Sequence, residues 1–174
     1  LEYDFFTGAA STSLTQNGVR IYGLEGTNVR TLAGFVYTPA TKTLTGIAYL
    51  NNAGTLNTFL INLGAAPIVL ADNTWYSIGV AYNTTTGAVT WKGPGFDNVG
   101  LNPANMTGPF QPNEVNFISV TPPTNVALAE LTYDNYRVTA TPTVNLLGKS
   151  DFEAAAKFAV YPNPTNGLVT ISND

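Results

Sequence analysis

The 174-residue chain contains no cysteine and no histidine, and only 10% of its residues are charged. Without cysteine there are no disulfides, no thiolate nucleophiles and no cysteine metal sites. Without histidine, Ser-His-Asp catalysis, Cys-His catalysis and histidine metal sites are excluded as well. A phosphate-binding Gly-x-x-x-x-Gly-Lys-Ser/Thr loop is also missing. These absences remove several large classes of enzyme from consideration.

Basic residues are few and scattered. There are seven in the chain, and the net charge is −4. Nucleic-acid binding requires a basic patch or stripe, so we expect no nucleic-acid partner. No apolar run approaches the ~18 residues that a spanning helix requires, and we therefore expect a chain that does not span a membrane.

The residues that are present favour strands and turns. Hydrophobic residues make up 44% of the chain, enough for a sizeable core. Thr favours strands, while Asn and Gly favour turns. Short alternating segments between turn signals therefore predict an all-β antiparallel sandwich of two sheets. The predicted strands are Leu1–Phe6, Val19–Gly23, Thr31–Tyr37, Thr45–Asn51, Asn57–Leu63, Ile68–Ala71, Trp75–Tyr82, Ala88–Lys92, Val115–Val120, Val126–Tyr133 and Asn135–Ala140. The Gly-, Pro- and Asn-rich stretch Gly93–Asn113 is predicted to be a long loop.

Two segments indicate a more specific fold. The clearest hairpin joins Trp75–Tyr82 to Ala88–Lys92 through Asn83-Thr-Thr-Thr-Gly87. It resembles the same element of concanavalin-A-like jelly-roll domains, including laminin-G-like modules. Residues 129–138, Ala-Glu-Leu-Thr-Tyr-Asp-Asn-Tyr-Arg-Val, resemble the final strand of such domains. The resemblance implies that residues 1–142 form a jelly-roll sandwich.

The C-terminal residues resemble a different kind of domain. Val160–Pro164 reads Val-Tyr-Pro-Asn-Pro, and it is followed by a Thr-Asn-Gly turn signal and the alternating segment Leu168–Ser172. This stretch resembles the opening of the C-terminal sorting domain of the type IX secretion system in Bacteroidetes-type bacteria. The resemblance implies that residues 158–174 are the truncated start of such a domain, joined by a linker at 143–157. It also implies the secretion machinery as a partner and a location outside the cell or on the outer-membrane surface. Because the chain begins within a predicted strand and without Met, we expect either a removed export signal or a shortened chain.

Jelly-roll domains that bind sugars use exposed aromatic rings with amide and carboxylate neighbours. An aromatic face suits the C–H-rich side of a sugar ring, and polar groups fix its orientation. The candidate ligand-binding residues are Trp75, Trp91, Tyr133, Tyr136 and Asn135. For the two tryptophans the alternative is burial in the core. Tyr133 and Tyr136 are three residues apart, so a regular strand would direct them to opposite sides.

The same fold includes glycoside hydrolases, which need two carboxyl groups about 5–9.5 Å apart. The Glu-x-Asp-x-Glu strand of the retaining glucanases is missing from this sequence. Glu130 and Asp134 would lie roughly 13 Å apart along a regular strand, too far for either mechanism. A partner from Asp72, Asp97 or Glu114 stays open. We expect no enzyme and no catalytic residue, with a hydrolase as the second alternative.

Three Asp-Asn pairs are candidate calcium ligands. Asp72, Asp97 and Asp134 are each followed by Asn, and calcium prefers such oxygen donors. The alternative is that each pair only forms a turn. The jelly-roll modules that this chain resembles often carry a structural ion, so the expected cofactor is none, or one structural calcium ion. The resemblance to jelly-roll domains, together with the missing carboxylate pair, implies a non-catalytic module that binds a polysaccharide or glycan or mediates adhesion, and the resemblance to a sorting domain implies that it is secreted. The first alternative is a structural or protein-interaction spacer with no ligand site.

Overall fold

The computed structural model describes residues 1–140 and Leu146 with their side chains, and residues 158–161 and 170–173 as backbone only. Within these residues the elements are strands, apart from one 3-10 turn at Pro103–Asn105. None of the described elements is a helix long and apolar enough to cross a membrane. Two antiparallel sheets pack face to face, which confirms the predicted all-β sandwich.

The sandwich contains eleven of the described strands. They are β1 Glu2–Phe6, β2 Gln16–Glu25, β3 Asn28–Thr38, β4 Thr43–Asn52, β5 Thr55–Ile61, β6 Ile68–Val69, β7 Trp75–Tyr82, β8 Val89–Gly93, β9 Phe96–Gly100, β10 Pro112–Val120 and β11 Thr132–Arg137. Sheet A has the order β11-β1-β7-β8-β9. Sheet B has the order β10-β2-β3-β4-β5, and β6 also pairs with β4.

Alternate residues of both sheets point into one core. Tyr3 and Phe5 enter it from β1, Ile78 from β7 and Phe35 from β3, each almost fully buried. Burying a large apolar side chain contributes about 1.5–3 kcal/mol. Alternation between apolar and polar residues along each strand therefore fixes which face of each sheet is covered.

Two predicted segments in the second half of the chain are wrong, and the strand predicted at Asn135–Ala140 overlaps a single strand, β11, that ends at Arg137. The predicted loop Gly93–Asn113 contains β9, which pairs with β8 and places Phe96 in the core. The predicted strand Val126–Tyr133 is mostly loop, because residues 126–131 pair with no strand and β11 begins only at Thr132. The Asn125 side chain holds the start of this loop. Its amide donates to the Ala127 carbonyl at 2.9 Å, and its Oδ1 accepts from the Leu14 backbone N–H at 2.9 Å.

Strand β11 contains a bulge. Glu2 and Asp4 of β1 face Arg137 and Asp134, so three residues of β11 span the same distance as two residues of β1. Asn135 absorbs the extra residue with a φ of 50°, a conformation that Asn tolerates better than most residues. The regular alternation is thereby broken.

The chain beyond residue 140 is described at only a few positions. Leu146 is 7% exposed. Its side chain lies 3.2 Å from where a Gly79 Cβ would be, so the missing side chain of Gly79 makes room for it. The rest of the predicted linker at 143–157 lies outside the described residues. Within the predicted sorting segment, β12 Phe158–Tyr161 pairs antiparallel with β13 Thr170–Asn173. The Asn-Gly turn signal lies outside the described residues, and the sorting domain stays a prediction.

Candidate functional site

A cleft lies on the outward face of sheet A, where β11, β1 and β7 run side by side. Its lining residues are Asp4, Trp75, Ser77, Asp134 and Asn135. The cavity volume is about 410 Å³, and the cleft opens to solvent. Asp4 faces Asp134 on one neighbouring strand and Ser77 on the other. The register of the sheet thus assembles one polar row from three strands that are distant in sequence.

Hydrogen bonds hold this polar row in place. Asp4 accepts from the Ser77 hydroxyl and, at 2.6 Å, from the Asn135 side-chain amide. The Asn135 backbone N–H donates to Asp134 Oδ1 at 2.7 Å. Because a carboxylate only accepts, the Asn135 Nδ2 must point toward Asp4, and its Oδ1 is left for the cleft. The bulge at Asn135 therefore connects the two carboxylates.

Trp75 supplies the aromatic part of the cleft. It faces Phe6 across the β1–β7 pair, with ring centroids 5.4 Å apart, and is 50% exposed. The turn before β7 includes Asn73 at a φ of 50° and is tied to Thr7, whose backbone N–H donates to the Thr74 carbonyl at 3.1 Å. Trp75 is therefore a partly exposed ring on a strand, with its position fixed on one side by Phe6.

The structure separates the other predicted aromatic residues from this cleft. Trp91 is a wrong candidate for sugar stacking, because it is 0% exposed and its Nε1 donates to the Gly34 carbonyl at 2.8 Å. Tyr133 and Tyr136 do not take opposite sides, because the bulge lies between them. Both contact the ring of Phe117, at centroid distances of 4.9 and 5.2 Å. Tyr133 packs against the core, and burial raises its pKa to about 12.

The three predicted calcium ligands do not come together. Asp72 pairs with Lys42 at 2.5 Å, and Asp97 pairs with Lys92 at 3.3 Å. Asp134 lines the cleft on β11, whereas Asp97 is on β9 at the opposite edge of sheet A. In the described part of the chain, no three acidic, histidine or cysteine side chains group around a common point.

Sequence reasoning missed Asp4 and Ser77. Asp4 alternates with the buried Tyr3 and Phe5, and this pattern indicates that it points outward. The identity of its neighbours depends on the pairing of β1 with β7 and β11, which are far away in sequence. No local signal in the chain carries that pairing.

In this cleft an exposed aromatic ring and several polar side chains share one surface. No family model, curated protein or solved structure matches this chain. The similarity of Trp75–Lys92 and of residues 129–138 to jelly-roll domains therefore stays a resemblance. The chemistry of the cleft is the remaining guide to function.

Proposed function

We propose that this chain is a secreted or cell-surface module that binds glycans, or mediates adhesion through them, without catalysing a reaction. One observation carries the proposal: the half-exposed Trp75 shares a cleft with Asp134 and Asn135. An aromatic ring stacks on the C–H-rich side of a sugar, while carboxylate and amide oxygens accept hydrogen bonds from its hydroxyls. The cleft presents both kinds of group on neighbouring strands.

The proposed location rests on the C-terminal residues. Val160–Pro164 and the alternating residues that follow resemble a type IX sorting domain. We infer that the chain is exported by that machinery and presents its cleft outside the cell or on its surface.

A spacer without a ligand site would be expected to leave no aromatic ring exposed in a cleft, and Trp75 argues against that alternative.

Hydrolysis is the second candidate, because Asp4 and Asp134 face each other across β1 and β11. Residues opposite one another in an antiparallel pair have Cα atoms about 4.5–5.5 Å apart, so their carboxyl groups are close enough for a glycosidase pair. Two features favour binding instead. Both oxygens of Asp4 already accept hydrogen bonds from Ser77 and Asn135, and Asp134 is exposed rather than buried as a general acid usually is.

A glycan array followed by titration calorimetry tests the proposal. We expect Trp75→Ala to weaken binding at least about tenfold, which corresponds to about 1.4 kcal/mol. Tyr136→Ala is the matched control, because Tyr136 is a similarly exposed aromatic residue outside the cleft. If the folded protein binds no glycan at millimolar concentration, or if both variants bind like the parent, the proposal is wrong.

An assay for new reducing ends separates binding from hydrolysis. We expect no release of reducing ends from any polysaccharide that the protein binds. If ends are released and Asp134→Asn abolishes the release while binding persists, the hydrolase replaces the binding module. Asp97→Asn, on the opposite edge of sheet A, is the control for a nonspecific charge effect.

A further inference from the structure

Three of the donors in and beside the cleft are used within it, whereas the Trp75 indole N–H and the second amide hydrogen of Asn135 are not. The Ser77 hydroxyl and the Asn135 amide both donate to Asp4, and the Asn135 backbone N–H donates to Asp134. The oxygen atoms that remain for a ligand are acceptors, namely Oδ2 of Asp134 and Oδ1 of Asn135. Since these oxygens include an exposed carboxylate that accepts only one hydrogen bond, they favour a ligand that brings donors.

The negative charge of the cleft also favours a ligand that brings hydrogen-bond donors. The ion pairs in the described part of the chain join Arg30 to Glu25, Lys42 to Asp72, Lys92 to Asp97 and Arg137 to Glu2. Asp4 and Asp134 take part in none of them. The cleft thus holds two carboxylates and no lysine or arginine in its lining, in a chain whose net charge is −4.

Building on the proposed function, we propose that the cleft selects amino sugars, that is, glycans with free protonated amines, and excludes acidic glycans. An ammonium group has three donors and no acceptor, which complements the unused oxygens. Its hydrogen bonds to carboxylates are charge-assisted, and a cation close to the face of an indole ring is further stabilised. A uronic acid or sulfated sugar would instead place its negative charge beside Asp4 and Asp134.

Titration calorimetry with three hexasaccharides tests this selection. The probes are fully deacetylated chitohexaose, which carries amines, cellohexaose, which is neutral, and hexagalacturonate, which is acidic. We expect chitohexaose to bind at least about tenfold more tightly than cellohexaose at low salt, and hexagalacturonate not to bind. The preference should shrink at high salt, because exposed charges are screened. It should also shrink as the pH rises and the amines lose their protons.

Variants of matched charge separate the cleft from the overall charge of the protein. Asp134→Asn should reduce the preference for chitohexaose over cellohexaose to less than about threefold, if the carboxylate provides most of it. Asp97→Asn removes one negative charge from the opposite edge of sheet A and should leave the preference intact.

The outcomes are distinct. If cellohexaose binds as tightly as chitohexaose, or if hexagalacturonate binds best, the amino-sugar selection is wrong and glycan binding stands. If Asp97→Asn lowers the preference as much as Asp134→Asn, the attraction is general and the selection is again wrong. If none of the three probes and no array glycan binds to the folded protein, both this inference and the proposed function are wrong.

Discussion

Trp91→Phe should destabilise the sandwich strongly, whereas the same change at Trp75 should not. The Trp91 Nε1 donates to the Gly34 carbonyl at 2.8 Å, and the side chain is fully buried. Leaving a buried oxygen without this donor costs about 1–3 kcal/mol. The smaller ring also leaves a cavity, which costs about 1 kcal/mol at ~24 cal/mol per Å³. The expected loss in the free energy of unfolding is therefore about 2–4 kcal/mol.

Urea denaturation followed by circular dichroism measures this loss, and thermal unfolding should show a fall in Tm of roughly 4–16 °C. Trp75→Phe is the matched control, because it keeps an aromatic ring against Phe6 on the exposed face. It should change stability by no more than about 0.5 kcal/mol. Each variant retains a single tryptophan, so iodide should quench the fluorescence of Trp91→Phe much more than that of Trp75→Phe.

The reasoning would be refuted by a loss of less than about 1 kcal/mol in Trp91→Phe, since that is below the cost of the buried hydrogen bond alone. Equal losses in the two variants would refute it as well. Equal quenching in both would show that Trp91 is not shielded from water.

Three further predictions concern stability. Because burial raises the pKa of Tyr133 to about 12, against about 10 in unfolded chains, the native state keeps this proton when the unfolded state has lost it. Stability should fall between pH about 10 and 12 by on the order of 2–3 kcal/mol, and Tyr133→Phe should remove this part of the fall in pH-dependent urea titrations. Asn125→Ala should lower the free energy of unfolding by about 2–4 kcal/mol in urea denaturation, because the Asn125 amide anchors the loop before β11. The control is Leu128→Ser, at a side chain that is 92% exposed, which should lower it by less than about 0.5 kcal/mol. Leu146→Ala should cost about 2 kcal/mol in the same assay, because the buried side chain packs against Gly79.

Each of these has an outcome that contradicts it. An unchanged alkaline transition in Tyr133→Phe would mean that another group causes the fall. Equal costs in Asn125→Ala and Leu128→Ser would mean that the loop is not held by the amide. A Leu146→Ala variant as stable as the parent would mean that the contact of Leu146 with Gly79 does not stabilise the sandwich.

The sequence predicted the class of fold because strand alternation is a local property. The pairing of Trp75–Tyr82 with the strand that follows it is predictable from the sequence, because the two strands are neighbours in the chain and a short turn joins them. Strand β9 is not predicted, because the Gly- and Pro-rich composition around it indicates a loop. Only two inward residues, Phe96 and Val99, indicate a strand there. Residues 126–131 were misread as strand because the apolar alternation there is real, while the decisive contacts of Asn125 reach residues more than a hundred positions away.

The candidate site was predicted only in part for the same reason. Residue type and the resemblance to jelly-roll domains predict Trp75 and Asn135 as ligand-binding residues, whereas Asp134 is predicted only as a calcium ligand. Asp4 and Ser77 join them only through the pairing of β1 with β7 and β11. Trp91 and Trp75 differ in burial because they point to opposite faces of sheet A, and residue type alone does not distinguish them.

The bulge in β11 also affects how this molecule behaves among its own copies. Among the described strands, β11 is an edge strand of sheet A, and a regular exposed edge is a template on which another chain can add a strand. The left-handed turn at Asn135 interrupts the regular spacing of the backbone N–H and C=O groups at this edge. Copies of this chain that meet at high concentration would thereby be protected from edge-to-edge aggregation. The residue that shapes the cleft would then also help to keep neighbouring copies apart.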